Sequence, residues 1–449
     1  MSEPLPLREA LRRAWRAPMV AALVRGTGIA FVLQAGGAVL VYASQVLLAR
    51  WLGAASFGDY AYASSWAQLL AVFGALGMPL CTLKFLPEYA ATQDWPHAKG
   101  ALRAFRLIAL GTGALLGAVV ALLFAGFAPA QVNLAVLTLG LVGVPFFALK
   151  NVQVDAIRSL GDVATAYGLP YVVQPILLML GVGALYTARG GDLSALHGVI
   201  GMLAAVLIVA ALQAWALRQR LGARLRDVSP AYEMRAWLRI ALPMTIVDGA
   251  SVALSRVDIL IVGLTLSSTQ TGIYAAAARA ASLVSFVLYA VNAVVAPRIA
   301  PLYHQGDRAN LQRLVTLATA LSLTLALGMV LGLLVFASPL LHIFGAEFVA
   351  GRNALIILAF GHLVNAASGP LADLLHLTVH QRASGAIALG GVALTFTLSV
   401  TLIPRWGIEG AALATTLAML AQNATMYVFV RRKLKIDTLA FGRLSRGTQ

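Results

Sequence analysis

Leu52-Gly53-Ala54-Ala55-Ser56-Phe57-Gly58-Asp59-Tyr60 lies between two long apolar runs. At an offset of 214, Leu266-Ser267-Ser268-Thr269-Gln270-Thr271-Gly272-Ile273-Tyr274 lies between two more. Leu, Gly and Tyr recur at the same spacing. Beyond the second run of each pair, Lys84, Pro87 and Tyr89 are matched by Arg298, Pro301 and Tyr303 at the same offset. The residues between these six matches diverge freely, as expected of two copies of one unit that have kept only the positions their fold needs. The chain is read as a duplication with a seam in its middle.

Composition identifies the solvent. Sixty per cent of the residues are hydrophobic, 11% are charged, and mean hydropathy is +0.84, far from the balance of a water-soluble domain. Twelve apolar runs are long enough to span a membrane: 28–50, 58–79, 104–127, 132–153, 165–187 and 194–217, then 239–264, 271–296, 314–337, 354–379, 383–403 and 408–430. Each has at least the roughly 20 residues that a ~30 Å hydrocarbon core demands of a helix. Six runs before the seam and six after it match the repeat. The expected fold is an all-α integral membrane protein with about 12 transmembrane helices in two repeated six-helix lobes around a central cavity. No soluble catalytic domain has room to exist.

The net charge of +16 invites a nucleic-acid reading, which the positions of the basic residues exclude. With the N-terminus cytoplasmic, 27 of the 33 Lys and Arg fall in the N-terminal arm, the even-numbered connections (Lys84, Lys150, Arg158 and Arg298 among them) and the tail. Four (Arg50, Arg189, Arg352 and Arg405) fall on the other side, and Arg256 and Arg279 fall inside spans. That asymmetry is a positive-inside signal and predicts both termini in the cytoplasm.

The organisation follows. Residues 1–27 are a basic cytoplasmic arm in which Arg8, Arg12 and Arg16 recur beside Leu7, Leu11 and Trp15, the pattern of a short helix on an anionic membrane surface. No cleavable signal peptide is expected there. The N-lobe is 28–218, the linker 219–238 with its Ser229-Pro230 turn, the C-lobe 239–430, and the basic cytoplasmic tail 431–449. The lone Cys81 excludes an internal disulfide and a cysteine-based metal site; no metal or cofactor is expected. A duplicated membrane unit hinged at a central seam is a transporter architecture.

Three motifs add a resemblance. Leu48-Ala49-Arg50-Trp51-Leu52-Gly53 followed by Phe57-Gly58-Asp59-Tyr60 resembles the first loop of the polysaccharide flippases. Phe344-Gly345-Ala346-Glu347-Phe348 is similar to that family's fifth outer loop. The stretch Ile403-Pro404-Arg405-Trp406-Gly407-Ile408-Glu409-Gly410-Ala411-Ala412 is similar to the start of its last helix. The resemblance covers essentially the whole chain. It is to the lipid-linked oligosaccharide (O-antigen-type) flippases of the multidrug/oligosaccharidyl-lipid/polysaccharide exporter superfamily. It implies alternating-access transfer of an undecaprenyl-diphosphate-type oligosaccharide across the bacterial inner membrane, for O-antigen, lipopolysaccharide, capsule or exopolysaccharide synthesis. It also implies membrane lipids as surroundings, and a polysaccharide polymerase and glycosyltransferases as associated proteins. The architecture suits such a cargo. A diphosphate and its sugars need a wet passage, because burying unpaired charge in hydrocarbon costs many kcal/mol, whereas the lipid tail never leaves the bilayer.

Ionisable residues inside spans are the candidate site. Asp248, Arg256 and Asp258 lie in the seventh span and Arg279 in the eighth. Asp258 and Arg279 can pair across neighbouring helices and leave Arg256 for a phosphate; alternatively all three form one structural ion-pair cluster. In the tenth span, His362, Asn365, Gly369, Asp373, His376 and His380 share an arc of roughly 80° at ~100° per residue, with Pro370 mid-stripe. That stripe suits sugar hydroxyls, and its histidines suit proton coupling; an interhelical hydrogen-bonded seam is the plainer reading. Gln34, Tyr42 and Gln45 in the first span and Ser64, Ser65 and Gln68 in the second are either cavity lining or packing. The repeat-related Lys84 and Arg298 sit at span ends, where they attract an incoming phosphate or anchor the topology.

No enzymatic motif is present: there is no Walker loop, nucleophile elbow, HExxH or metal-binding carboxylate pair. The alternatives are an ion-coupled multidrug/cation antiporter of the same superfamily and a peptidoglycan lipid-precursor flippase. The first relies on N-lobe carboxylates, which the spans assigned here almost lack.

Overall fold

The computed structural model describes residues 18–127, 129–378 and 381–439, and among them every regular element is helical. The basic arm at Arg8, Arg12 and Arg16, and His380, lie outside the described residues. Among the described residues, ten helical stretches are long and apolar enough to cross a membrane; two of them, Val32–Gly74 and Ala383–Lys433, have 43 and 51 residues. At ~1.5 Å per residue each is about twice as long as a bilayer core is thick, so each crosses twice. Twelve crossings result, as the hydropathy pattern requires.

The N-lobe comprises α1 (Pro18–Gly74), α2 (Met78–Ala91), α3 (Trp95–Phe127), α4 (Leu134–Val142), α5 (Val144–Ser159), α6 (Val163–Gly168), α7 (Gln174–Ala188) and α8 (Ala195–Leu225). The C-lobe comprises α9 (Met234–Leu254), α10 (Val257–Thr265), α11 (Ser268–Ala281), α12 (Leu283–His304), α13 (Arg308–His342), α14 (Arg352–Ser368), α15 (Leu371–Leu377) and α16 (Gln381–Lys433). Breaks between crossings fall where the sequence permits them. Gly53 turns α1 back on itself at φ 73°, and Gly407 does the same for α16 at φ 54°. The repeat mate of Gly53 is Ser267, which caps α11 through a reciprocal pair with Gln270.

Several crossings read as continuous in the sequence are interrupted. The seventh breaks at Ser255-Arg256, between α9 and α10, and the eighth at Ser282. The tenth stops at Ser368; buried Gly369 takes φ 76°, and α15 starts after Pro370. Proline cannot continue the donor ladder, and the freed backbone groups are tolerable at this depth only inside the protein.

The two copies meet along α1 and α11. A methyl group on Gly58 would stand 1.9 Å from the Ser268 carbonyl oxygen, and one on Gly272 would stand 2.0 Å from that of Ala54. Gly58 matches Gly272 and Ala54 matches Ser268 at the repeat offset, so the contact is symmetric. These glycines mark the axis relating the lobes, and nothing larger fits there. Around them lies a buried core including Phe57, Tyr60, Tyr274, Phe344 and Phe348. The outside is an apolar belt (Leu115, Leu122, Trp215, Leu317, Val335 and Val400 among its exposed residues), as lipid contact demands.

The two faces of the bundle differ. On the face bearing Lys84 and Arg298, the linker is strapped to the N-lobe: Lys99 Nζ donates to the Val228 carbonyl at 2.8 Å and Trp237 Nε1 to the Tyr89 hydroxyl at 3.0 Å. At the same face Asp307 caps α13; hydrogen bonds from Asn310 hold its carboxyl below the usual carboxylate range. On the opposite face the lobes are latched. Asp59 accepts from Ser268 Oγ at 2.5 Å and from Asn133 at 3.2 Å. Glu347 accepts from the Ala54 N–H at 2.5 Å, and Gln131 donates to the Leu264 carbonyl.

Candidate functional site

Two cavities lie below that latch. The first, about 690 Å³, is walled mainly by the N-lobe and runs from Ser44, Gln45 and Tyr60 to Gly77, Pro79 and Tyr167 at the turns of the basic face. Tyr60 and Ser44 are about 10–13 Å along the helix from Gly53, so the cavity stops short of the latched face. The second, about 590 Å³, is walled by the C-lobe. Ser251, Arg256 and Arg279 border both, so the two arginines stand at the junction.

Local sequence explains their placement. Arg256 sits in the break between α9 and α10, where its side chain leaves the helix and donates to Gln68 Oε1 at 2.8 Å. Arg279 lies in the last turn of α11, just before the interruption at Ser282. Among the described residues, no carboxylate comes within ion-pair distance of either guanidinium; Asp258 and Tyr60 act on them only from farther away. The Asp258–Arg279 pair and the three-residue cluster considered from sequence are therefore absent. Asp258 instead accepts from the Tyr274 hydroxyl at 3.0 Å, a repeat-marking tyrosine on the same helix as Arg279. The physical reason is reach: a short carboxylate on α10 is already satisfied by the phenol beside it.

Other candidates divide between the cavities. Gln45 and Asp248 line the first, whereas Gln34 is exposed and lines neither. His362, Asn365, Gly369 and Asp373 line the second, the interruption at Gly369-Pro370 bringing Asp373 into its wall. His362 is within 2.8 Å of Ser285 Oγ, and Asp373 accepts from Asn292 at 2.6 Å. His376 lies outside both linings, its Nε2 3.3 Å from Ser384. Lys84 and Arg298 are exposed at the basic face, outside both linings; the Lys84 ammonium sits 5.2 Å from the centre of the Phe85 ring.

The principal surprise is in the N-lobe wall. Lys150 and Arg158, read from sequence as loop charges, belong to α5 and face the first cavity with Asp155. Lys150 donates to Gln174 at 3.0 Å, and Arg158 pairs with Asp155 at 3.2 Å and donates to Tyr167 at 3.2 Å. A π-helical turn, Leu169–Val173, inserts Tyr171 into the same wall; such turns frequently accompany functional sites. A signal existed. Lys150, Asn151, Asp155 and Arg158 share an arc of about 140° at ~100° per residue, visible once the helix is carried past position 153.

This is the geometry of a membrane transporter: two helical lobes related by an axis, a polar chamber between them, and closure at one face. A family model described as polysaccharide biosynthesis protein matches residues 23–302, and the chain belongs to that family. It is similar to a probable low-salt glycan biosynthesis flippase, Agl15, of Haloferax volcanii, with 26% identity over 174 residues, 38% of this chain and 37% of that protein. It is also similar to a probable multidrug resistance protein, NorM, of Deinococcus radiodurans, with 28% identity over 215 residues, 46% of this chain and 48% of that one. These matches span less than half the length of either relative. Among solved structures, an inward-facing multidrug resistance MATE family transporter of the MOP superfamily aligns with TM-score 0.72 and 16% identity, covering 89% of this chain and 94% of that one. The lipid II flippase MurJ, in an inward closed conformation, aligns with TM-score 0.70 and 15% identity over 89% and 87%. The fold is thus that of the flippases and transporters of this superfamily.

Proposed function

We propose that this chain flips a lipid-linked oligosaccharide, on an undecaprenyl-diphosphate-type carrier, across the bacterial inner membrane by alternating access. In this reading the basic face, both termini included, is cytoplasmic. The N-lobe is 28–218 and the C-lobe 239–430, joined by the linker 219–238. The product serves O-antigen, capsule or exopolysaccharide assembly, beside glycosyltransferases and a polymerase.

One observation carries the reading: two half-buried guanidiniums stand at the junction of the cavities, and among the described residues no carboxylate is paired to them. Unpaired charge at membrane depth is expensive and marks a substrate path. Guanidinium forks match phosphate oxygens bidentately, and a diphosphate presents two such groups. Lys150 adds a further cation to the first cavity's wall, beside Arg158 held by Asp155, along the proposed route from the cytoplasmic leaflet. The test is transfer of a polyprenyl diphosphate disaccharide between leaflets of proteoliposomes holding the purified chain. Arg256→Ala, purified as a folded monodisperse protein, should lower the rate at least tenfold; transfer at the full rate by that variant refutes the assignment.

A second reading, cation-coupled antiport, is favoured by Asp155, a carboxylate in the N-lobe wall facing the same cavity as Asp248. It requires Asp155 to exchange its Arg158 partner for a cation. Drug efflux driven by an imposed ion gradient and abolished in Asp155→Asn would support it over the flippase reading.

A further inference from the structure

The second cavity differs in chemistry from the first. Apart from the shared Arg256 and Arg279, its lining among the described residues contains no Lys or Arg. It has two carboxylates, each already engaged: Asp258 by Tyr274 and Asp373 by Asn292. Asn365, Gln422 and Asn423 line it with side-chain amides that make no hydrogen bond to any described residue, and Asn423 is buried. Three amides with unused donors and acceptors inside a membrane protein require polar partners. Phe286 and Tyr289 add ring faces to the same wall. By contrast, the first cavity has Lys150 and Arg158 as cations of its own.

We infer that the second cavity is a subsite for an uncharged sugar residue of the cargo, and that it selects neutral or N-acylated sugars over acidic ones. The inference rests on the flippase reading. The diphosphate is held at the junction by Arg256 and Arg279, and the attached sugar turns into the C-lobe. There Asn365, Gln422 and Asn423 exchange hydrogen bonds with hydroxyl or acetamido groups, and the ring lies against Tyr289. A uronic or other acidic sugar would bring a third carboxylate to Asp258 and Asp373 with no Lys or Arg in the lining beyond the two that hold the diphosphate, so repulsion and desolvation both oppose it.

Three probes test this in proteoliposomes: a bare polyprenyl diphosphate, the same lipid bearing an N-acetylated neutral disaccharide, and one bearing a disaccharide with a uronic acid. The wild-type chain should move the neutral-sugar probe at least tenfold faster than the acidic one. The double variant Asn365→Ala/Asn423→Ala loses two hydrogen-bonding groups. It should lower the ratio of neutral-sugar to bare-diphosphate transport about tenfold to a hundredfold, at roughly threefold to tenfold per hydrogen bond. Gln422→Ala should lower the same ratio by itself, and Asn365→Lys should raise transport of the acidic probe relative to the neutral one. Equal wild-type rates for the acidic and neutral probes overturn the inference. So does an unchanged ratio in variants that slow every probe alike, which makes the amides structural. If the wild-type chain moves no diphosphate probe, the flippase reading itself falls, and this inference with it.

Discussion

The contact between Gly58 and Gly272 allows a quantitative test of how the lobes move. In Gly58→Ala the new methyl would sit 1.9 Å from the Ser268 oxygen and 2.7 Å from the Gly272 nitrogen. Both are backbone atoms, so no side chain can yield, and α1 and α11 must part by about 1 Å to reach even the shortest tolerable contact. Overpacking of this kind costs about 1–3 kcal/mol. The cost falls only on the state in which the latched face is closed, because the helices must separate there when that face opens. The closed-to-open ratio should therefore fall about 5- to 150-fold. Spin labels at Ala55 and Thr269, an exposed pair at the repeat offset, report the separation on that face in a background with Cys81 replaced. Gly58→Ala and Gly272→Ala should each lengthen the distance distribution, and Gly328→Ala, where a methyl meets nothing within 4 Å, should leave it unchanged. Unaltered distributions in both interface variants would show that the pair is a passive packing contact and that the latched face does not open along this seam.

Reporter fusions after Arg220 and after Arg432 should both read cytoplasmic; a periplasmic signal at either overturns the two-lobe topology. Arg256→Ala should abolish complementation of a flippase-deficient strain while the protein still accumulates in the membrane, and Arg256→Lys should keep partial function, since lysine retains the charge without the planar fork. Single cysteines at His362, Asn365 and Asp373 should react with a small water-soluble thiol reagent and one at fully buried Leu374 should not; a stripe as inert as that control would be a seam rather than a cavity wall. Lys150→Met should slow diphosphate transport severalfold by removing a cation from the first cavity, and an unchanged rate would confine the phosphate route to the junction.

Hydropathy made the crossings legible because lipid contact imposes a long apolar run on every helix that meets the bilayer. The same filter concealed the N-lobe wall. Helix α5 continues to Ser159, but beyond position 153 its polar residues face a chamber rather than lipid, so that stretch reads as a loop. The interruptions at Ser255-Arg256, Ser282 and Gly369 were hidden for a related reason. An apolar run persists through a break whenever the freed backbone groups are sheltered by protein, and hydropathy does not register backbone geometry. The arginines at the junction were legible because charge inside an apolar run stands out. The partner of Asp258 was not, since Tyr274 and Arg279 lie on one helix and only coordinates show which of them reaches the carboxylate. Lys84 and Arg298 illustrate the converse: repeat symmetry singled them out, yet it preserves scaffold positions as readily as site positions.

The offset that defines the two copies also shows how the site departs from symmetry. Counting back 214 positions, Asp248 corresponds to Gln34, Arg256 to Tyr42, Asp258 to Ser44 and Arg279 to Ser65. All four positions are polar in both copies, but charged only in the second. In the other direction, Lys150, Asp155 and Arg158 correspond to Val364, Gly369 and Ala372, whereas Asn151 and Asn365 match and line opposite cavities. Charge thus stands at non-equivalent positions in the two copies, and of the four N-lobe counterparts only Ser44 lines the first cavity. Two identically charged chambers would hold an anionic head group equally well, leaving nothing to orient a cargo with a charged end and a neutral end. Under the proposed function, unequal chambers sharing one pair of arginines would give such a cargo a single favoured orientation. In the proposed flippase reading the arginine pair, carried by the C-lobe, would keep hold of the phosphate as the lobes rock.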